Sequence, residues 1–262
     1  MSNQNLSVDL NSDMGEGFGA YRMGDDEAIL DIVSTANVAC GFHAGDPEIM
    51  ASTFALAKQK GVAVGAHPAF PDLWGFGRRR IPFSAGEIER LVAYQIGAAQ
   101  ALSVYAGHPI THVKAHGALG NLTQTDADVA GAVCRAIKAV DPSLACLVIA
   151  LGHQARIAAE MGLEVRSEIF ADRAYDDNGH LVHRSLPGAV IHDAQEASDR
   201  VVRMVKNQAI ETITGRTLAC SIDSICVHSD TPAAVAIARE VRNALERNGI
   251  AVASKTHPLH NG

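Results

Sequence analysis

Asp9, Asn11 and Asp13 alternate along an apolar run that ends in the glycine-rich turn DLNSDMGEG. Alternate side chains of a strand share one face, so three carbonyl-bearing groups at period two suit a hard cation or a polarised water. Glu16 closes the same run, and its flanking glycines let a backbone approach a ligand. His43 sits between Gly41 and Gly45 just ahead of a helix start, and His67 ends the next apolar run in GAHP. Histidines at successive strand ends face one another across a barrel mouth, a geometry for imidazole ligation or acid–base work.

Further along, His112, Lys114 and His116 share one strand face. A lysine directed into a barrel is costly unless it meets an anion, and Asp9, Asp13 and Glu168 are the available compensators. His112 reads as a hydrogen-bonded core histidine lower in the barrel. Arg78 and Arg79 lie among glycines in WGFGRRR, which suits either a carboxylate or phosphate clamp or a solvated turn. Glu168, Asp172 and Arg173 cluster at one strand end, able to orient water and substrate or, for Asp172 and Arg173, to form a local ion pair. His228 ends the last strand in CVHSD. Asp46 and Asp230 are explained by helix capping alone. The other histidines, His108, His153, His180, His183, His192, His257 and His260, have no partner pattern and read as surface or loop residues.

The elements that must position these groups alternate regularly. Short apolar runs at 6–10, 37–40, 62–66, 110–113, 144–150, 163–169 and 224–227 read as strands, with a weaker one at 189–191. Helical patterns occupy 26–33, 47–60, 85–106, 126–140, 154–161, 194–208 and 232–248. Ser84 and Glu87 form a capping box, Thr231-Pro232 a cap with an N1 proline, and Lys60-Gly61 and Asn248-Gly249 stops. Such alternation implies a parallel sheet. The absence of GxGxxG and Walker loops, and polar groups at many strand ends, favour a single α/β barrel of about seven strands spanning 1–262, with a small hairpin near 211–220.

Composition narrows the partners. The 262 residues carry 22 Lys+Arg against 29 Asp+Glu, a net charge of -7, with 47% hydrophobic residues. Mild acidity without a basic run argues against nucleic acid, and no apolar stretch reaches the ~20 residues of a membrane span. The polar, acidic start is not a signal peptide, and five cysteines without a CxxC read as reduced thiols, so a cytoplasmic location is expected.

The segments DLNSDMGEGFG, NVACGFHAGDP, GAHPAFPDLWGFGRR, VKAHGALGN, EIFADRAYDDNG and ICVHSDTP, in this order, resemble the LamB/YcsF family of lactam utilization proteins over about residues 6–258. The sequence differs from the family pattern at Ala115, Gly120, His183 and Ser229, where proline, tyrosine, proline and glycine are usual. The resemblance implies a barrel similar to the glycoside hydrolase and deacetylase superfamily. It also implies the A component of an ATP-hydrolysing 5-oxoprolinase, which opens the lactam 5-oxo-L-proline to L-glutamate together with subunits B and C. ATP is then a co-substrate, handled wholly or partly by the partners, and the chain alone is expected to have little lactamase activity. A homo-oligomer or a hetero-complex, rather than a lone monomer, is also expected, from the resemblance and from the long apolar-rich helix at 85–106.

That reaction explains the inventory. An unstrained lactam is a poor electrophile, and phosphorylating its carbonyl oxygen creates an imidate that water can attack. The residues expected to act catalytically are Asp9, Asn11, Asp13, His43, His67, Lys114, His116 and Glu168. Those expected to bind substrate are Glu16, Arg78, Arg79, Asp172, Arg173 and His228. Two rivals remain: a metal-dependent deacetylase or amidase holding magnesium or zinc on Asn11, Asp13, His43 and His67, and a non-catalytic lactam-binding subunit.

Overall fold

The computed structural model describes residues 6–228 and 234–255. In chain order the elements are β1 (Ser7–Met14), α1 (Asp26–Leu30), β2 (Thr35–Ala39), α2 (Pro47–Lys60), β3 (Ala63–His67), α3 (Ala85–Tyr105), β4 (His112–Val113), α4 (Gly117–Thr125), α5 (Ala127–Val140), β5 (Ala145–Ile149), α6 (His153–Glu160), β6 (Val165–Phe170), α7 (Ala194–Asn207), β7 (Ala209–Glu211), β8 (Thr217–Ala219), β9 (Ser224–Cys226), α8 (Ala234–Arg247) and β10 (Ala251–Val252). Strands β1, β2, β3, β4, β5, β6 and β9 pair in parallel in that order, and β9 returns to β1, closing a seven-stranded barrel. β10 extends the sheet beside the start of β1, Ser7 opposite Ala251. The antiparallel pair β7–β8 is the expected hairpin, beginning two residues earlier than the sequence suggested.

Alternation along β1 sorts its side chains. Val8, Leu10 and Met14 join the apolar layer between strands and helices, where they meet Val38, Val64, Val113, Cys146, Val148 and Ile225. Asp9, Asn11 and Asp13 take the opposite face and enter the barrel, whose interior is polar rather than filled with branched aliphatics. Such an interior is stable only if its groups bond to one another. Asp9 accepts from Ser34, Thr35 and Ser224. Asn37 donates to Asn11 and Asp13, and His112 Nε2 donates to Asn37 Oδ1 at 2.8 Å. Gly65 leaves room for that imidazole, since a Cβ there would collide with the ring.

The punctuation holds where its residues are described. Ser84 and Glu87 close a reciprocal capping box on α3, Asp46 caps α2 ahead of Pro47, and Gly61 ends α2 in the left-handed conformation. The expected Thr231-Pro232 cap and the start of the last helix, with Ser229, Asp230, His257 and His260, lie outside the described residues. Three expectations change. β1 runs on to Met14, so Asn11 and Asp13 are within the strand rather than after it. The segment 189–191 is no strand, because only Val190 finds a partner, in a single bridge to Arg173. α4 carries no helical signature in its sequence, which is rich in glycine, threonine and asparagine, and its N-terminal His116 makes no side-chain cap. The five cysteines are free thiols. No helix among the described residues is long and apolar enough to cross a membrane.

Candidate active site

The carboxyl ends of the strands surround a cavity of about 410 Å³. Its floor is Lys114, whose Nζ lies 3.1 Å from Asp13 Oδ1, 3.0 Å from Glu168 Oε2, and 3.1 Å from both Asn11 Oδ1 and Cys226 Sγ. Burial would discharge the ammonium, but Asp13, Cys226 and Glu168 outweigh it and hold the lysine well above its ordinary range. The two carboxylates around it diverge. Burial would raise Asp13, yet His67 and Lys114 outweigh it and keep the carboxyl well below the usual range. Burial raises Glu168, and Lys114 only partly offsets it. Glu168 Oε2 also accepts from Asn11 at 3.2 Å, whereas its Oε1 has no hydrogen-bond partner.

One wall is made of imidazoles. His67 Nδ1 lies 2.8 Å from the Lys114 carbonyl oxygen, and His116 Nε2 lies 2.8 Å from the Phe76 carbonyl oxygen. A carbonyl only accepts, so these two nitrogens carry the protons. With both rings neutral the remaining nitrogens, His67 Nε2 and His116 Nδ1, face each other as lone pairs 3.0 Å apart; a second proton on His67 Nε2 would instead point between His116 Nδ1 and Asp13 Oδ2, 3.3 Å away. His43 stacks on His116 with ring centroids 3.8 Å apart, is fully buried, and has no hydrogen bond at either nitrogen. Burial, His116 and His67 push His43 far below the ordinary imidazole range, and burial with His67 pushes His116 down to about 3. Glu16 Oε1 stands 3.6 Å from His43 Nε2 and 3.8 Å from His116 Nδ1.

Glu16, His43, His67 and His116 each bring one donor atom within 4.8 Å of the others. Opposed lone pairs and an orphaned buried imidazole beside a carboxylate are what a cation would relieve, so these residues fit a divalent metal. Three nitrogens and one oxygen favour zinc-like ions over magnesium, which prefers oxygen ligands. The set differs from the one read from sequence. His43 and His67 belong to it, Asp13 lies 3.3 Å from His67 Nε2, and Asn11 sits deeper, bonded to Glu168 and Ser224.

The other expected residues divide. Arg78 lines the cavity with its guanidinium over the Phe76 ring, 5.0 Å from the centroid. Arg79 points outward and pairs with Asp72, tying the 72–80 loop together. Arg173 and His228 line the opposite wall, and Asp172 accepts from His228 behind it. Asp9 lies at the far end of the barrel interior, away from Lys114, and His112 fills the layer between. The sequence reading missed Arg184, His180 and His183, all of which line the mouth from the irregular segment after β6. No periodicity marks that segment. Gly120 also faces the cavity, and a Cβ there would collide with the Ala115 carbonyl oxygen, so this backbone requires glycine.

Residues 8–260 match the model of the LamB/YcsF family. The chain is 61% identical over 250 residues to the A component of 5-oxoprolinase from Gluconobacter oxydans, covering 95% of this chain and 98% of that one. It is 62% identical over 247 residues to the corresponding 5-oxoprolinase component of Azorhizobium caulinodans, covering 94% and 98%. Among solved structures it is similar to a lactam utilization protein from Thermus thermophilus, with TM-score 0.89 and 45% identity over 95% of this chain and 99% of that one.

Proposed function

The chain belongs to the LamB/YcsF family, and on that premise we propose that its cavity opens 5-oxo-L-proline to L-glutamate as part of an ATP-dependent 5-oxoprolinase. The observation that carries this reading is the Lys114 ammonium shared by Asp13 and Glu168 at the cavity floor. Two carboxyl groups whose surroundings push them in opposite directions are poised to divide base and acid roles. Asp13, kept ionised beside His67, accepts a proton from the attacking water. Glu168, raised by burial, is the better suited of the two to take up a proton and deliver it to the departing lactam nitrogen. Lys114 steadies the negative charge that develops between them. A positioned acid or base contributes ~10²–10⁴-fold.

Amide resonance must be weakened first. Phosphorylation of the carbonyl oxygen, with ATP handled wholly or partly by subunits B and C, supplies that activation; C–N cleavage after water attack then leaves a γ-glutamyl phosphate, and a second water releases glutamate and inorganic phosphate. The sequence contains no familiar nucleotide-binding motif, which agrees with such a division of labour. A divalent ion on Glu16, His43, His67 and His116 would supply Lewis-acid polarisation at the same wall. Those four donors also support a second reading, in which the chain hydrolyses a small or acetylated amide unaided.

Reconstitution decides between them. Purified chain is assayed for glutamate release from 5-oxoproline, with and without ATP and with and without subunits B and C. The expected result is release only when ATP and the partners are present. Release by the isolated chain without ATP, or none from the complete mixture, overturns the proposal.

A further inference from the structure

We propose that Arg184 and Arg173 form an oxyanion-binding arm at the cavity mouth, and that the Asp172–His228 pair is the device that aims Arg184. His228 Nδ1 lies 2.7 and 2.8 Å from the two Asp172 carboxylate oxygens. A carboxylate held ionised only accepts, so that nitrogen carries the proton. Nε2 is then a lone pair, and it accepts a hydrogen bond from Arg184 Nη2 at 2.8 Å. The imidazole therefore works as a fixed coupler, its tautomer set from one side and spent on the other. Phe170 packs on the same ring, with centroids 5.8 Å apart, and lies 5.3 Å from Lys114 Nζ on its other contact. Phe170 thus touches both the His228 ring and the Lys114 ammonium.

Asp172 is an opposing charge close to both guanidiniums, which help to hold it ionised, but its two oxygens are engaged by His228. Among the described residues no carboxylate forms an ion pair with Arg184 or Arg173. Arg173 is 4% exposed, gives one bond to the Val182 carbonyl oxygen, and leaves its Nε without a partner. Burial, and then the neighbouring Arg184 charge, bring Arg173 down to about 10. Both side chains line the cavity. Two adjacent cations with unspent donors, one of them buried, are stabilised by an anion that bridges them, and the guanidinium fork matches a carboxylate or phosphoryl group. Only the identity of that anion rests on the lactam reading: it is either the ring carboxylate of 5-oxoproline or the phosphoryl group of its activated form.

Calorimetric titration of the full chain distinguishes the two sources. The probes are inorganic phosphate, 5-oxoproline, and 2-pyrrolidinone, which keeps the lactam but lacks the carboxylate. Arg184→Gln should weaken one of the two anions by about tenfold or more, the size of one lost charge-assisted hydrogen bond, and leave 2-pyrrolidinone unchanged. Loss of phosphate assigns the arm to the phosphoryl group, and loss of 5-oxoproline assigns it to the carboxylate. His228→Phe keeps the ring packed on Phe170 but removes the Nε2 acceptor. It should lower the same affinity, and the double variant should fall little further than Arg184→Gln alone. Wild-type affinity for both anions in Arg184→Gln, or no anion binding by the wild-type chain, overturns the arm. Fully additive effects overturn the positioning role. Phosphate binding needs no lactam, so a chain that binds phosphate through Arg184 yet yields no glutamate with its partners refutes the lactam reading and leaves the arm standing.

Discussion

His67 Nε2 and His116 Nδ1 stand 3.0 Å apart with both of their protons committed elsewhere, to the Lys114 and Phe76 carbonyl oxygens. Two lone pairs at that separation repel, and either a shared proton or a cation removes the conflict. Burial opposes the proton on His116 and on the stacked His43. A cation shared by His43, His67 and His116 would relieve the conflict without protonating a buried ring, and Glu16 would complete its donor set.

Metal-stripped protein should therefore take up about one zinc ion per chain and should bind magnesium far more weakly. At a zinc concentration 100 times Kd the fold gains about 2.7 kcal/mol, visible as a raised melting temperature that a chelator reverses. His43→Ala should abolish the zinc-dependent part of that shift. No zinc uptake, or equal shifts with zinc and magnesium, would count against the site.

Lys114 ties two carboxylates on different strands to one ammonium, and all three groups are buried. Lys114→Met keeps the stem but strands the carboxylates. Removing one partner of a buried ion pair costs about 3–5 kcal/mol, so urea unfolding should show a loss of that order. Unchanged stability would mean that the two acids are already neutral in the native protein.

His112 predicts how the fold responds to acid. Burial, then Arg166 and Lys114, lower it from 6.5 to about 3. Between those values the unfolded chain binds a proton that the native ring refuses, so stability falls as pH falls through this window. One such group contributes about 1.4 kcal/mol per pH unit. Asp9 and Glu168, raised by burial, act in the opposite direction at pH values above their ordinary 3.8 and 4.5, and so offset part of this loss. Urea midpoints at pH 7 and pH 5 should differ clearly in the wild type and by less in His112→Gln. A difference between pH 7 and pH 5 as large in His112→Gln as in the wild type would refute the buried neutral imidazole.

Much of this was legible in the residues. The period-two run Asp9, Asn11, Asp13 showed a strand face, and a lysine sharing a face with His112 and His116 announced a compensating anion. Of the three acids named for that role, Asp13 and Glu168 are the partners, while Asp9 is spent on Ser34, Thr35 and Ser224. What stayed hidden depends on non-local packing. Glu16 and His116 join His43 and His67 only in the folded barrel, and α4, which follows His116, starts at Gly117 with φ 54°, its Cβ position only 2.7 Å from the Gly77 carbonyl oxygen. Arg184 comes from a segment with no periodic pattern, and its role shows only once His228 is found between it and Asp172.

In the proposed mechanism Asp13 and Glu168 divide the base and acid work of lactam opening around Lys114. Glu168→Gln tests that division most directly, because the amide keeps the size of the side chain and an oxygen for Lys114 but has no carboxylic proton to deliver. Glutamate release from 5-oxoproline is measured in the complete mixture with ATP and both partner subunits, alongside the melting temperature of the same preparation. The expected result is a folded variant whose turnover falls by ~10²-fold or more. A stable Glu168→Gln chain that supports turnover within a few-fold of wild type would contradict the division of roles.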